Sequence, residues 1–375
     1  MKMKGFKMDR KDKNIIISGG GTGGHVFPAI SIAEALKEID NTINILFVGA
    51  KDRMEMEKVP EAGYKIIGLP VSGIQRKLTL KNLKVPFQLM KSLSLAKKII
   101  KQFQPDVVIG VGGYASGPVL RIANKKHIPT LIQEQNSYAG ITNRLLAKKA
   151  HKICVAYEGM DKYFPPEKIS YTGNPVRKAL LPTGNKKKEA MEYFNISNDK
   201  KVVLSIGGSL GAQSINESII YNLKTLKKTD IQIIWQCGKL YYDKASEALK
   251  KFNLNNVKLM NFISRMDLAY EAADIIISRA GAGTISELAL VKKPVILVPS
   301  PNVAEDHQTR NARSLVDKNA AILVNDNVAK TKLIPTALEL LSDQEKLNEL
   351  SKNIEKIGKP DSAKLIAEEV LKLIN

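Results

Sequence analysis

Glycines, a threonine and a histidine follow one another between residues 19 and 28, in a pattern that can hold a charged ligand. The preceding residues 15–17 are isoleucines, which is typical of a buried strand. The glycines let the backbone turn, and Pro28 suits the first turn of a helix. A strand, a glycine turn and a helix N-terminus direct free N–H groups and a positive dipole to one point. We therefore expect a phosphate-bearing ligand at this turn, with His25 at its mouth.

The same glycines fit the Gly-x-Gly-x-x-Gly spacing of nicotinamide dinucleotide sites. That fingerprint also needs an acidic residue about 20 positions further on, at the end of the second strand. The predicted second strand, 43–48, is followed by Gly49, and Asp52 comes late. An oxidoreductase is therefore the weaker interpretation of this turn.

Strands and helices alternate along both halves of the chain. Predicted strands lie at 15–18, 43–48, 106–109, 129–132, 152–156, 202–206, 232–235, 274–277 and 293–298. Predicted helices lie near 28–39, 87–103, 139–149, from 212 to about 227, up to 291, and at 361–374. This β–α–β winding predicts parallel sheets with helices on both faces.

The two halves repeat one plan. Asp106, a glycine loop and Pro129 in the first half correspond to Asp274, a glycine loop and Pro294 in the second. We therefore predict an α/β protein with two Rossmann-like, doubly wound domains that face a cleft. The predicted boundaries are 13–175 plus a C-terminal helix at 359–375 for one domain, and 176–358 for the other.

Charge and cysteine content narrow the class of protein. The chain has 375 residues, with 58 Lys and Arg against 37 Asp and Glu, and no apolar run long enough to span a membrane. Residues 62–105 and 137–157 lack acidic side chains, so the basic excess is concentrated in the first half. Such a field attracts anionic lipid or nucleic acid. Cys154 and Cys237 are far apart and indicate a reduced, cytosolic protein.

Seven segments, taken together, resemble the MurG family, the peptidoglycan N-acetylglucosaminyltransferases of bacteria. They are residues 19–28, 112–118, 133–136, 172–177, 207–212, 278–287 and 307–308. The resemblance extends in order from about residue 14 to the C-terminus. One departure is Gly283, where members of the family often carry a larger apolar residue.

The resemblance implies a B-type glycosyltransferase fold, with the donor nucleotide sugar on the second domain and the acceptor and membrane on the first. The donor is UDP-N-acetylglucosamine, and the acceptor is muramyl pentapeptide linked to undecaprenyl diphosphate. The donor residues that it implies are Thr22, Gly23, Gly24, Asn136, Arg177, Ser209, Ile263, Ala282, Gly283, Thr284, Ile285, Ser286, Glu287 and Gln308. The acceptor diphosphate is expected at Gly113, Tyr114 and Ser116.

Some of these residues have simpler structural interpretations. By the resemblance, the backbone at Ile263 reads the uracil of the donor. Ser209 can otherwise cap a helix, Arg177 and Gln308 can be surface side chains, and Ile263 can be a plain core residue. Glu287, three residues after Thr284, also fits a capping box.

The resemblance implies an inverting displacement, which needs a group to remove the proton of the attacking hydroxyl. His25 is the first candidate for this general base because histidine titrates near neutral pH, and Glu134 is the rival. The chain has no Asp-x-Asp motif, so we expect no bound metal and no cofactor.

The acceptor implied by the resemblance lies in a membrane, so we expect peripheral binding to the cytoplasmic face of the bacterial inner membrane. Apolar residues among lysines at 76–87 suit an anionic lipid surface, with Leu80, Lys81, Lys84 and Phe87 as the test set. Residues 141–152 are the second candidate for the membrane-binding segment.

Two other functions remain as alternatives to the transferase, namely a UDP-sugar epimerase on the same fold and a nucleic-acid binder. The low aromatic content, 6%, disfavours nucleic acid as a partner.

Overall fold

A computed structural model describes residues 13–71, 85–176, 184–208, 210–303 and 306–374. Arg177, Ser209 and most of the predicted membrane segment at 76–87, including Leu80, Lys81 and Lys84, lie outside these described residues. The chain divides into two compact units. Unit 1 is the chain through Pro175 together with the segment that starts at Asp361, and unit 2 is Val176–Pro360.

Unit 1 is built on a parallel sheet of seven strands in the order β3-β2-β1-β4-β5-β6-β7. The strands are β1 (Asn14–Ser18), β2 (Asn44–Ala50), β3 (Lys65–Leu69), β4 (Val107–Gly110), β5 (Thr130–Glu134), β6 (Lys152–Val155) and β7 (Ile169–Tyr171). The helices are α1 (Gly23–Ile39), α2 (Glu55–Glu61), α3 (Val85–Phe103), α4 (Ser116–Lys125) and α5 (Ile141–Ala147), with 3₁₀ turns at Met160–Lys162 and Pro166–Lys168.

Unit 2 has a parallel sheet of six strands in the order β10-β9-β8-β11-β12-β13. The strands are β8 (Val202–Ile206), β9 (Gln232–Gln236), β10 (Val257–Met260), β11 (Ile275–Ser278), β12 (Val295–Leu297) and β13 (Ile322–Leu323). The helices are α6 (Lys187–Phe194), α7 (Gln213–Tyr221), α8 (Leu223–Leu226), α9 (Tyr242–Phe252), α10 (Met266–Ala272), α11 (Ala282–Val291), α12 (His307–Val316), α13 (Ala329–Ser342) and α14 (Gln344–Glu355), with 3₁₀ turns at Lys239–Tyr241 and Asp326–Val328. The last helix, α15 (Ser362–Lys372), belongs to unit 1.

The buried strands of unit 1 alternate their side chains between two helical layers. Ile15 and Ile17 of β1 pack with α1 and α15, whereas Ile16 packs with α3, α4 and α5. Two doubly wound, parallel α/β sheets were predicted, and the structure confirms them.

Asp106 and Asp274, the aspartates of the repeated plan, make the same kind of strand-to-strand hydrogen bond in the two units. The Asp106 carboxylate accepts a hydrogen bond from the Asn14 N–H at 2.7 Å, and the Asp274 carboxylate accepts one from the Val202 N–H at 2.7 Å. Each therefore joins the start of the fourth strand of its sheet to the start of the first. These bonds lie at the amino ends of the strands, away from the glycine loops.

The first helix begins earlier than the sequence indicated. It starts at Gly23 with extended Thr22 as its N-cap residue, so Pro28 lies inside the helix rather than in its first turn. The N–H groups of His25 and Val26 both donate to the Thr22 carbonyl. The helix predicted to end near 227 is also different, because Asn222 separates α7 from α8.

Candidate functional site

The glycine loops lie at the carboxyl ends of the strands where the strand order reverses. In unit 1 these loops follow β1 and β4, and in unit 2 they follow β8 and β11. Open parallel sheets bind ligands at such reversal points because the loops diverge there and leave a crevice. Each unit therefore has one candidate binding edge.

The two loops of unit 1 touch through their backbones. A Cβ atom on Gly113 would lie 2.3 Å from the Gly20 carbonyl oxygen, and Gly113 has a φ of +79°. Only glycine meets both conditions. The segments 19–24 and 112–118 are thus one surface in the folded unit.

His25 lies in the first turn of α1, against the second of these loops. Its Nδ1 is 3.1 Å from the Thr22 hydroxyl, and its ring contacts Gly112, where a Cβ atom would lie 3.0 Å from Nε2. Thr22 therefore orients the ring through Nδ1. Proton transfer to Nε2 requires the tautomer in which Nδ1–H donates to the Thr22 oxygen.

A buried carboxylate that the sequence analysis missed holds the first glycine loop. Glu55 is 2% exposed and accepts hydrogen bonds from the N–H groups of Gly21 at 2.9 Å and Ala50 at 2.9 Å. Side chains at Gly20 or Gly49 would collide with it. Glu55 therefore occupies a backbone donor that the sequence analysis assigned to a phosphate. In the sequence, this contact is marked by glycines at positions 20 and 49, because a Cβ atom at either position would collide with Glu55.

Glu134 ends β5 and uses both carboxylate oxygens within unit 1. It accepts bonds from the backbone N–H groups of Asn136 at 3.1 Å and Gly140 at 3.0 Å, and from the Asn143 side chain at 2.9 Å. Burial raises the pKa of Glu134, and these donors oppose that rise. Glu134 thus shapes the loop that presents Asn136.

Buried amides continue this support below the loops. Gln135 donates to the Val111 carbonyl at 2.7 Å, and Gln133 donates to the Asn174 side chain at 2.8 Å. Asn174 in turn donates to the Gln135 carbonyl at 2.9 Å. The 133–136 segment and Asn174 are therefore joined in one network.

The predicted acceptor residues differ in exposure. Ser116 is fully buried and donates to the Gly113 carbonyl at 2.9 Å, whereas the Tyr114 side chain is 59% exposed. The hydroxyl of Ser116 thus closes its own turn at the start of α4. Tyr114 is the member of this set that presents a ring to solvent.

The described candidate donor residues of unit 2 lie in the loop after β10, which contains Ile263, and in helices α11 and α12. Ile263 is 2% exposed, and its backbone N–H donates to the Gln236 side chain at 3.0 Å. Gly281 is the N-cap residue of α11, and residues 282–287 form its first turns. Thr284 lies inside the helix, so the capping-box interpretation of Thr284 and Glu287 is wrong.

Several of these side chains stabilise their own loops. Ser286 donates to the Ala282 carbonyl at 3.0 Å, and Gln308 accepts from the Ser300 N–H at 2.8 Å. Arg279, in the loop before α11, donates to the Val298 carbonyl at 3.0 Å and to Asp326 at 2.5 Å. A side chain at Gly283 would meet open space, which fits the larger residues expected there.

The described residues contain no group of three or more His, Cys, Asp or Glu side chains arranged to hold a metal ion. No helix within the described ranges is both long and apolar enough to cross a membrane. The absence of a metal from the reaction stays a prediction.

The fold and these loops define a doubly wound α/β protein of two units, each with a candidate binding edge. Residues 15–155 match the N-terminal domain of glycosyltransferase family 28, and residues 202–366 match its C-terminal domain. The chain belongs to glycosyltransferase family 28.

Particular relatives narrow this class. The chain is 58% identical, over 96% of its length and 98% of the relative's, to the UDP-N-acetylglucosamine--N-acetylmuramyl-(pentapeptide) pyrophosphoryl-undecaprenol N-acetylglucosamine transferase of Parabacteroides distasonis. The crystal structure of MurG from Acinetobacter baumannii has a TM-score of 0.78, with 28% identity over 96% of this chain and 99% of that one. The predicted membership of the MurG family is confirmed.

The epimerase alternative has a structural counterpart of the same fold. The UDP-GlcNAc 2-epimerase of Neisseria meningitidis, bound to UDP-GlcNAc, has a TM-score of 0.68 over 96% of this chain and all of that one. Its identity is 18%, so it shares the fold alone. The family relationship favours the transferase over the epimerase, the oxidoreductase and the nucleic-acid binder.

The raised pKa of Glu134 has a consequence for stability. Because the folded pKa lies above the ordinary value of 4.5, the folded state holds more protons between those two pH values. The contribution of this group to the free energy of unfolding therefore falls as pH rises through that interval. We expect the free energy of unfolding of the wild type, minus that of Glu134→Gln, to decrease from pH 4.5 upward in urea titrations at a series of pH values.

The control for this prediction is the exposed residue Glu247, changed to Gln. A difference that grows with pH would contradict the prediction.

Proposed function

We propose that this chain transfers N-acetylglucosamine from UDP-N-acetylglucosamine to the C4 hydroxyl of N-acetylmuramyl pentapeptide carried on undecaprenyl diphosphate. The observation that carries the proposal is the 58% identity, along nearly the whole of both chains, with the Parabacteroides distasonis transferase named for that activity. The binding edges at the strand-order reversals of both units support it, because a transferase needs a donor site and an acceptor site.

The donor belongs, in this proposal, to unit 2. Its loops after β8 and β11 precede α7 and α11, whose N-termini favour the diphosphate. In unit 1, by contrast, the Gly21 N–H of the first glycine loop already donates to Glu55, so this donor is not offered to the diphosphate of the nucleotide sugar.

The chemical step is an in-line displacement at the donor sugar. The acceptor C4 oxygen bonds to C1 as the bond from C1 to the UDP oxygen breaks, and the hydroxyl proton passes to His25 Nε2. The leaving diphosphate takes the electron pair, and helix N-termini stabilise its charge. Glu134, with both oxygens bonded to neighbouring N–H groups, is less suited to this proton transfer than His25.

A transfer assay with purified protein tests the reaction. We expect UDP release that requires the lipid-linked acceptor, and a β-1,4-linked disaccharide product by NMR. The reaction should continue in EDTA, since the diphosphate would be held by helix dipoles and by Arg177, the arginine that the resemblance assigns to it. UDP-N-acetylmannosamine formation without an acceptor would instead support the epimerase, and complete loss in EDTA with recovery on adding one metal would contradict the metal-free mechanism.

His25→Ala tests the proton acceptor. We expect turnover to fall by about 10²–10⁴-fold, because a general base acts in the transition state, with little change in donor affinity. The exposed residue His127, changed to Asn, is the matched control in the same unit. Turnover of His25→Ala near that of the wild type would assign the proton to Glu134 or to water.

An apolar, basic surface on unit 1 fits the membrane that carries the acceptor. Phe87 and Met90 at the start of α3, and Ile141 and Leu145 on α5, are 56–78% exposed. Both helices belong to the layer on one face of the sheet, opposite α1 and α15. Exposed basic residues accompany them, namely Lys91, Arg144, Lys148 and Lys149. We call these eight residues the α3–α5 surface and propose that it binds anionic lipid at the cytoplasmic face of the membrane.

Vesicle co-sedimentation tests the α3–α5 surface. We expect salt-sensitive binding to vesicles that contain phosphatidylglycerol, because each nearby basic residue contributes about 1 kcal/mol. Changing Phe87, Met90, Ile141 and Leu145 to Ser should lower binding at least tenfold. The control changes Ile39 and Leu365 to Ser, since these exposed residues lie on the opposite helical layer. Equal pelleting of the wild type and the variant with four substitutions would show that lipid binds elsewhere on the protein.

A further inference from the structure

One buried amide connects two loops at the binding edge of unit 2. Gln236, the last residue of β9, is 3% exposed. Its Oε1 accepts a hydrogen bond from the Ile263 N–H at 3.0 Å, and its Nε2 donates to the Gly208 carbonyl at 2.9 Å. The loop after β8 and the loop after β10 are thus held by the same planar group.

The strand order explains why a single side chain can reach both loops. Strand β9 lies between β8 and β10 in the sheet, so its carboxyl end has one loop on each side. The amide cannot turn over, because its NH₂ group would then oppose the Ile263 N–H and its oxygen would oppose the Gly208 oxygen. The orientation of Gln236 is therefore fixed by its two partners.

The backbone beside Gln236 adds further constraints on the first loop. A Cβ atom on Gly211 would lie 2.0 Å from the Cys237 oxygen, and that oxygen also accepts a bond from Asn216 at 2.8 Å. The Cys237 N–H donates to the Met260 carbonyl. The three neighbouring loops are thus spaced by direct contacts, with the Gln236 side chain as the link between the outer two.

We propose that Gln236 is a positioning residue that sets the distance between the diphosphate end and the nucleobase end of the donor site. This inference rests on the proposed function, in which the loop after β8 faces the diphosphate, and on the uracil contact that the family resemblance implies for the loop that contains Ile263. Gln236 itself bonds to loop backbone rather than to ligand. Fixing the two loops before the nucleotide arrives removes an ordering cost that binding would otherwise include.

The same strand supplies a matched control. Gln232 begins β9, is 6% exposed, and its amide also makes two bonds to backbone, from the Ser197 N–H and to the Ser197 carbonyl, both at 2.8 Å. It lies at the amino end of the sheet, away from the glycine loops. A substitution there costs a similar pair of buried hydrogen bonds without touching the binding edge.

The experiment compares Gln236→Met with Gln232→Met in the full-length protein. Methionine keeps the approximate volume of glutamine, removes both hydrogen bonds and adds no charge that could repel a diphosphate. UDP affinity is measured by isothermal titration, uridine is measured as a competitor, and KM and kcat are measured for UDP-N-acetylglucosamine. Gln236→Asn, which is too short to reach both loops, is the second variant if Gln236→Met does not fold.

We expect Gln236→Met to weaken UDP binding and raise the donor KM about tenfold, since one or two buried hydrogen bonds are lost. Turnover should change less than twofold, and Gln232→Met should leave both constants unchanged. Uridine, which engages only one of the two loops, should lose less than twofold. Equal losses for uridine and UDP, or wild-type affinity in both Gln236 variants, would overturn the positioning role. A folded wild type that does not bind UDP would overturn the proposed function instead.

Discussion

Glycines have no side chains with which to hold the shape of a loop, and this constraint governs the structure around both candidate binding edges. Three of the glycine loops are held by a buried polar group from a neighbouring segment. Glu55 holds the loop after β1, Gln135 the loop after β4, and Gln236 the loop after β8. Leaving such a buried group without its partner costs about 1–3 kcal/mol, so loop shape and stability are coupled.

The backbone also limits what can replace the glycines. Gly113 and Gly211 both have positive φ, and a Cβ atom on either would fall within 2.3 Å of a carbonyl oxygen of another loop. The loops therefore touch backbone to backbone, which brings N–H and C=O groups close to the binding edge. Gly283 is different, because the space next to it is open and its place in α11 allows a larger residue.

The alternation of strand and helix patterns, with glycine-rich loops between them, was enough to predict two doubly wound parallel sheets, because both signals are local in sequence. The aspartates at 106 and 274 were visible as a repeat, although their bonds to Asn14 and Val202 were not. Glu55 and Gln236 could not be identified as loop supports, since their partners lie 5–34 and 27–28 residues away in sequence. Pro28 misled the placement of α1, because the Thr22 carbonyl starts that helix before the proline is reached.

The charge of the supporting groups separates the two units in chemical terms. Unit 1 holds its first glycine loop with the carboxyl group of Glu55 and shapes the loop after β5 with Glu134, so acidic side chains accept from those N–H donors. Unit 2 holds its first glycine loop with the neutral amide of Gln236, and the Arg279 guanidinium in its second loop is paired with Asp326. Two sheets of the same winding thus offer different fields at their binding edges. The neutral support leaves the first glycine loop of unit 2 better suited to a nucleoside diphosphate than that of unit 1, where a carboxyl group already accepts the Gly21 N–H.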